Sequence, residues 1–277
     1  MKKIVVCLLT ASIAVGTFTG CGSNDSNSKA ANTATEEQNT PDNNAEGVSK
    51  PDTSWYTDNP GAISSGYFIV GKDIKAGNYT YTVDYMRLDD TYSHLRVFEF
   101  EAYYMKYYQA VKDYDSDYDT YMSYVLSNAS CKIGESMAAN LVDGNVVVLS
   151  DTQGKLTGDA INTSKKLILD KGKQYAQGVY QPGTFKSGTY IASNNSTDED
   201  GRMSIVLFDG MDNYKACISE EGYSVGDWEE TLAKYAYYDY TIYPGETMTF
   251  NVHDDTVVLI DFGTAFIQQV NMGWSVD

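Results

Sequence analysis

The chain has 277 residues, with 20 Lys plus Arg against 38 Asp plus Glu for a net charge of −18, and two histidines, His94 and His253. Such charge repels polyanions and excludes nucleic acid as a partner, and two histidines leave most general-base and metal schemes short of parts. Hydrophobic residues make up 42% of the chain, near the low edge of globular composition, and the polar residues crowd toward the N-terminus, so part of the chain is expected to stay unfolded.

Met1, Lys2 and Lys3 precede an apolar run from Ile4 to Val15 and then small residues up to Gly20. A basic start, a short apolar stretch and a small-residue end make residues 1–20 an export signal; the run is too short and too rich in Thr and Ser for a retained membrane span. Phe18-Thr19-Gly20-Cys21 resembles the lipobox of bacterial lipoproteins, with Phe18 where Leu is usual. The resemblance implies that Cys21 carries a diacylglycerol and that the protein is lipid-anchored in the cell membrane, facing outside, as two acyl chains suffice for stable attachment. Residues 21–65 then read Ser, Asn, Asp, Thr, Ala and Glu, with almost no large apolar residue before Trp55. They cannot bury enough surface to offset the entropy of ordering and are expected to form a disordered tether.

The rest of the chain matches itself. Ile74-Lys75-Ala76-Gly77-Asn78-Tyr79 recurs as Phe185-Lys186-Ser187-Gly188-Thr189-Tyr190, and Gly134-Glu135-Ser136-Met137 recurs as Gly245-Glu246-Thr247-Met248, both at an offset of 111 residues. The same offset pairs Asn140 with Asn251, Asp143 with Asp254, and Val146-Val147 with Val257-Val258. Two copies of one unit are therefore expected, 66–170 and 171–277. Tyr79, Tyr81, Val83 and Tyr85 alternate with polar residues, the period of a strand with one buried face. The runs Asn145 to Leu149 and Thr256 to Ile260 are apolar and β-branched enough for central strands. One helix is expected to interrupt each copy, capped by Ser116 with Asp119 at N3 and by Asp227 with Glu230. The expected fold is mainly β with small helical insertions (α+β), two tandem β-sandwich-like repeats after the tether.

Ile69-Val70-Gly71-Lys72-Asp73-Ile74-Lys75-Ala76-Gly77-Asn78-Tyr79, followed by Asp143-Gly144-Asn145-Val146-Val147, resembles the repeated β-domain of Gram-positive surface lipoproteins with VGKDIPAGxYxV motifs. Lys75 replaces the usual Pro, and the second copy has lost the Gly-Lys-Asp part. The resemblance implies β-sandwich-like domains on the cell surface and carries no activity with it.

Of the candidate sites, Asp113, Asp115 and Asp117 alternate like the opening of a calcium loop, but Tyr118 and Tyr124 stand where such a loop needs Gly and Glu. A helix cap explains the stretch as well, and no metal or cofactor is assigned. Cys131 and Cys217, one per copy at non-equivalent positions, read as small buried residues, with a disulfide as the alternative for an exported chain. His94 and His253 read as surface residues, and no nucleophile, zinc or phosphate-loop motif is present. The composition includes 24 Tyr against 9 Phe and 3 Trp. Tyr103, Tyr104, Tyr107 and Tyr108 cover more of a helix than one core-facing stripe can hide, so some are expected to be exposed and to mark where a partner binds; the alternative is that Tyr stands in for Phe in partly wet cores. The expected function is a non-catalytic surface lipoprotein binding an extracellular glycan or protein. A structural partner in envelope assembly is the alternative, and a hydrolase using Glu135 or Glu246 with a neighbouring Asp is a third reading.

Overall fold

The computed structural model describes residue 56 and residues 58–86, 92–112, 117–164, 172–196, 198, 201–220 and 228–276. The signal, Cys21, most of the expected tether, Asp113, Asp115, Ser116 and Asp227 lie outside the described residues.

The first copy runs β1 (Ala62–Ile69), β2 (Gly77–Tyr85), β3 (Ser93–Phe98), α1 (Glu101–Lys112), α2 (Tyr118–Met122), β4 (Ser127–Cys131), β5 (Ser136–Leu141) and β6 (Val146–Thr157). The second runs β7 (Lys173–Tyr180), β8 (Gly188–Asn194), β9 (Met203–Asp209), α3 (Met211–Ser219), α4 (Trp228–Tyr235), β10 (Ala236–Ile242), β11 (Thr247–Val252) and β12 (Thr256–Val270). The strand orders are the same: β4-β3-β6-β2-β5 with β1 on β6, and β10-β9-β12-β8-β11 with β7 on β12. In each sheet one long strand is shared. β6 takes β1 along one side, while on the other side β3 pairs with its first half and β2 with its second.

The internal offset survives in the ladders. Tyr79 faces Ala139 as Tyr190 faces Phe250, and Thr80 faces Thr157 as Ile191 faces Gln268. The shared Gly-Glu motif is a turn. Gly134 and Gly245 sit at φ 81° and 82°, the left-handed region that a side chain disfavours. In each turn the next carboxylate accepts a backbone N–H at 2.9 Å, Glu135 from Lys132 and Glu246 from Tyr243. The two glutamates weighed for hydrolysis are thus equivalent turn caps in separate repeats.

Three expectations are corrected. The tether does not reach Ser65, because Ala62–Ser65 open β1, every residue of which is buried, and Tyr56 is buried as well. The small residues that made this stretch look unstructured let β1 lie against β11 of the other repeat. The Ser64 hydroxyl meets the Thr249 hydroxyl at 2.7 Å, and a Cβ on Gly66 would come within 2.4 Å of the Thr249 carbonyl oxygen. Two helices, not one, interrupt each copy among the described residues. Finally, the cap of α2 is Asp117, whose carboxylate accepts from the Thr120 N–H at 2.7 Å, and no side chain of this short helix is fully buried.

The repeats are interlocked. Phe68, Tyr81, Leu95, Val147 and Leu149 form the core of the first, and Met272 and Trp274 join it after β12 has ended in the second. Trp274 is fully buried, donates its indole N–H to the Ala62 carbonyl at 2.8 Å and meets Phe68 edge-on at 5.4 Å. In return Tyr67, Ile69, Phe98, Tyr104 and Tyr108 of the first repeat pack into the core of the second.

Candidate functional site

The insertion between β3 and β4 carries a concentration of aromatic rings. Helix α1 divides the four tyrosines singled out by the sequence. Tyr104 and Tyr108 are buried, and they hold the repeats together. Tyr104 lies 4.7 Å from the ring of Tyr67 and 5.5 Å from that of Phe98. The Tyr108 hydroxyl donates to the carboxylate of Asp239 on β10, which Lys112 also reaches at 3.3 Å. Burial, and next the Asp239 charge, push both phenols well above their ordinary range, so they stay neutral donors. Neither ring is open to a partner from outside, which corrects the expectation for this pair: the helix has to bury one stripe against the second repeat.

Tyr103 and Tyr107, each one residue earlier on the helix, are half-buried and rest against the edge of the same core. Phe100, 42% exposed, stacks on Tyr103 with centroids 4.3 Å apart. Tyr107 packs edge-on against Tyr121 at 5.8 Å, and Tyr121 against Tyr118, which is 61% exposed. Two cations lie over the rings: the Lys106 ammonium is 5.7 Å from Tyr103 and 5.9 Å from Tyr124, and the Arg96 guanidinium 5.7 Å from Tyr107. At this range a cation is attracted by the ring quadrupole, so the patch is aromatic with a positive border on an acidic protein. Tyr118 and Tyr121 enter the patch from α2 and were not among the tyrosines singled out by the sequence. The described residues of the equivalent insertion in the second repeat form no such surface. There Met211, Tyr214, Trp228 and Tyr235 pack against a core of Phe208, Cys217, Leu232 and Val257.

The other candidates have structural roles. Asp117 is engaged as the cap of α2, and among the described residues no three His, Cys, Asp or Glu side chains gather as a metal site. Cys131 and Cys217 are both free and buried; burial pushes the Cys217 thiol up to about 11, far from a reactive thiolate. The disulfide alternative is thereby set aside. The His94 Nδ1 is 2.9 Å from the Ser130 hydroxyl on the neighbouring strand.

His253 has a partner that the sequence did not reveal. Its Nε2 lies 3.5 Å from Oδ1 of Asp73, a carboxylate in the other repeat with a side chain only 4% exposed. Burial pushes the Asp73 carboxyl up to about 6, against the lowering effects of the Ile69 N–H, His253 and Lys72. The one signal was the Gly-Lys-Asp segment that the second copy has lost. No helix among the described residues is long and apolar enough to cross a membrane.

No family model matches the chain, and no curated protein matches it. Among solved structures, a cupin 2 conserved barrel domain protein from Leptotrichia buccalis is similar over 76% of this chain and 80% of its own, at 7% identity and a TM-score of 0.18. So small a score carries no argument about function.

Proposed function

We propose that this is a non-catalytic surface protein, lipid-anchored through Cys21, that holds an extracellular glycan or protein on the aromatic patch of α1 and α2. The observation that supports this reading is the ring cluster of Phe100, Tyr103, Tyr107, Tyr118 and Tyr121, in which Phe100 and Tyr118 are exposed and the other three half-buried, and which has no match among the described residues of the second repeat's insertion. Rings of this kind offer apolar area with polar tips at little entropic expense, which suits sugar faces and protein surfaces alike. The net charge of −18 disfavours anionic wall polymers beyond contact range, and it is screened within a Debye length of about 8–10 Å. Neutral glycans and apolar protein patches are the ligands that remain.

The test uses full-length protein in detergent micelles against purified neutral wall polysaccharides and envelope proteins, at two salt concentrations. Binding is expected to change little with salt and to be lost in the double variants Phe100→Ser/Tyr103→Ser and Tyr118→Ser/Tyr121→Ser. The same preparations report the anchor: wild type incorporates labelled fatty acid and enters the detergent phase, and Cys21→Ala does neither. Binding that collapses with salt or survives both double variants overturns the assignment of the surface, and equal partitioning of wild type and Cys21→Ala overturns the anchor.

A further inference from the structure

The turn between β1 and β2 brings three separate parts of the chain onto one residue. Asp73 Oδ2 accepts the N–H of Ile69 at 2.7 Å, closing the turn. The Asp73 carbonyl accepts the N–H of Val276 at 3.2 Å, which holds the C-terminal segment against the first repeat. Asp73 Oδ1 faces His253, in the turn joining β11 to β12 of the second repeat. Asp73 thus ties together the end of β1, the returning tail and the other repeat, with its carboxylate almost wholly out of water.

We propose that Asp73 and His253 form a proton-operated clasp between the repeats, closed while the pair holds its proton and loosened when the proton is lost.

With one proton between them, the pair is a neutral acid beside imidazole or a carboxylate beside imidazolium, and both arrangements are satisfied. When that proton leaves to solvent, a buried carboxylate faces a neutral ring, and an uncompensated buried charge is strongly unfavourable. The remaining neighbours do not restore the balance. Lys72 on the same turn draws the carboxyl down, but Glu101 at the start of α1 opposes it. The Tyr237 phenol of β10 is held neutral, its ionisation pushed up first by burial. A carboxyl ordinarily near 3.9 in the unfolded chain and near 6 in the fold binds its proton more tightly when folded. The stabilisation is therefore present in acid and lost as pH climbs through about 6. The pair has no counterpart across the repeat, where Thr184 and Val142 occupy the positions equivalent to Asp73 and His253, so the clasp acts at one contact only.

Amide hydrogen exchange on full-length protein tests this, with rates corrected for the intrinsic effect of pH. Between pH 5 and pH 8 the protection of the Ile69 and Val276 amides is expected to fall about tenfold relative to the Val206 amide in the second sheet. The whole difference between the unfolded and folded carboxyl is worth roughly a hundredfold, of which about tenfold lies above pH 5. Asp73→Asn, neutral and of the same shape, is expected to keep both amides protected across the range. His253→Gln, which removes a lowering influence, should move the midpoint to higher pH. Protection in wild type that does not vary with pH, or an equal fall in Asp73→Asn, overturns the clasp. A midpoint unmoved in His253→Gln overturns the pairing with histidine.

Discussion

Replacing Trp274 tests whether the two repeats stand or fall together. The side chain is fully buried although it comes four residues after the last strand of the second repeat, and its contacts are in the first. Truncating so large a ring to Ala costs about 3–5 kcal/mol in transfer and cavity terms. Loss of the indole donor to the Ala62 carbonyl adds about 1 kcal/mol. For a protein of this size each kcal/mol is worth about 2–4 °C in melting temperature, so Trp274→Ala is expected to melt roughly 10–20 °C below wild type. Trp274→Phe keeps most of the apolar contact with Phe68 and should lose only about 1–2 kcal/mol, chiefly the hydrogen bond. Urea titrations followed by far-ultraviolet and near-ultraviolet circular dichroism give both values, and the probes should coincide because the cores share residues. A Trp274→Ala protein within about 1 kcal/mol of wild type would refute the reasoning, since it would mean that the tail contributes nothing to the first core.

Two further outcomes follow from packing. Gly66→Ala should destabilise the protein by about 1–3 kcal/mol, measured by the same titration, because its Cβ would meet the Thr249 carbonyl oxygen at 2.4 Å; an unchanged midpoint would show that the strands can part without loss. Cys131 and Cys217, buried and unpaired, should each react with a thiol reagent only after unfolding, and non-reducing electrophoresis should match reducing; rapid labelling of either thiol in the native protein would contradict their burial.

The duplication was legible because its most alike residues meet local demands that do not depend on the partner repeat. Gly134 and Gly245 need a left-handed backbone, Glu135 and Glu246 cap the same turn, and the apolar alternation of β2 serves its own sheet. What escaped the sequence depends on the other repeat. Nothing local marks Ala62-Ile63-Ser64-Ser65-Gly66 as a buried strand, because its smallness makes sense only beside Thr249. The destination of Trp274 and the meeting of Asp73 with His253 are set by how two sheets dock, and no periodicity records that. The tyrosines were legible as an excess but not as two groups, since only the position of Asp239 and Tyr67 decides which side of α1 turns inward.

The crossing of β1 over β11 also bears on self-association. β7 keeps the glycine that lets β1 come so close: Gly66 pairs with Leu149 as Gly178 pairs with Ile260, the residue 111 positions after Leu149. The receiving side is what differs: Ile191, covered in the second repeat, corresponds to Thr80, which the first repeat leaves open beside Ala138 and Asn140. A head-to-tail contact that does not close on itself would otherwise propagate from molecule to molecule into a filament. Here the acceptor face of the first repeat is polar where that of the second is apolar, which disfavours propagation by this contact.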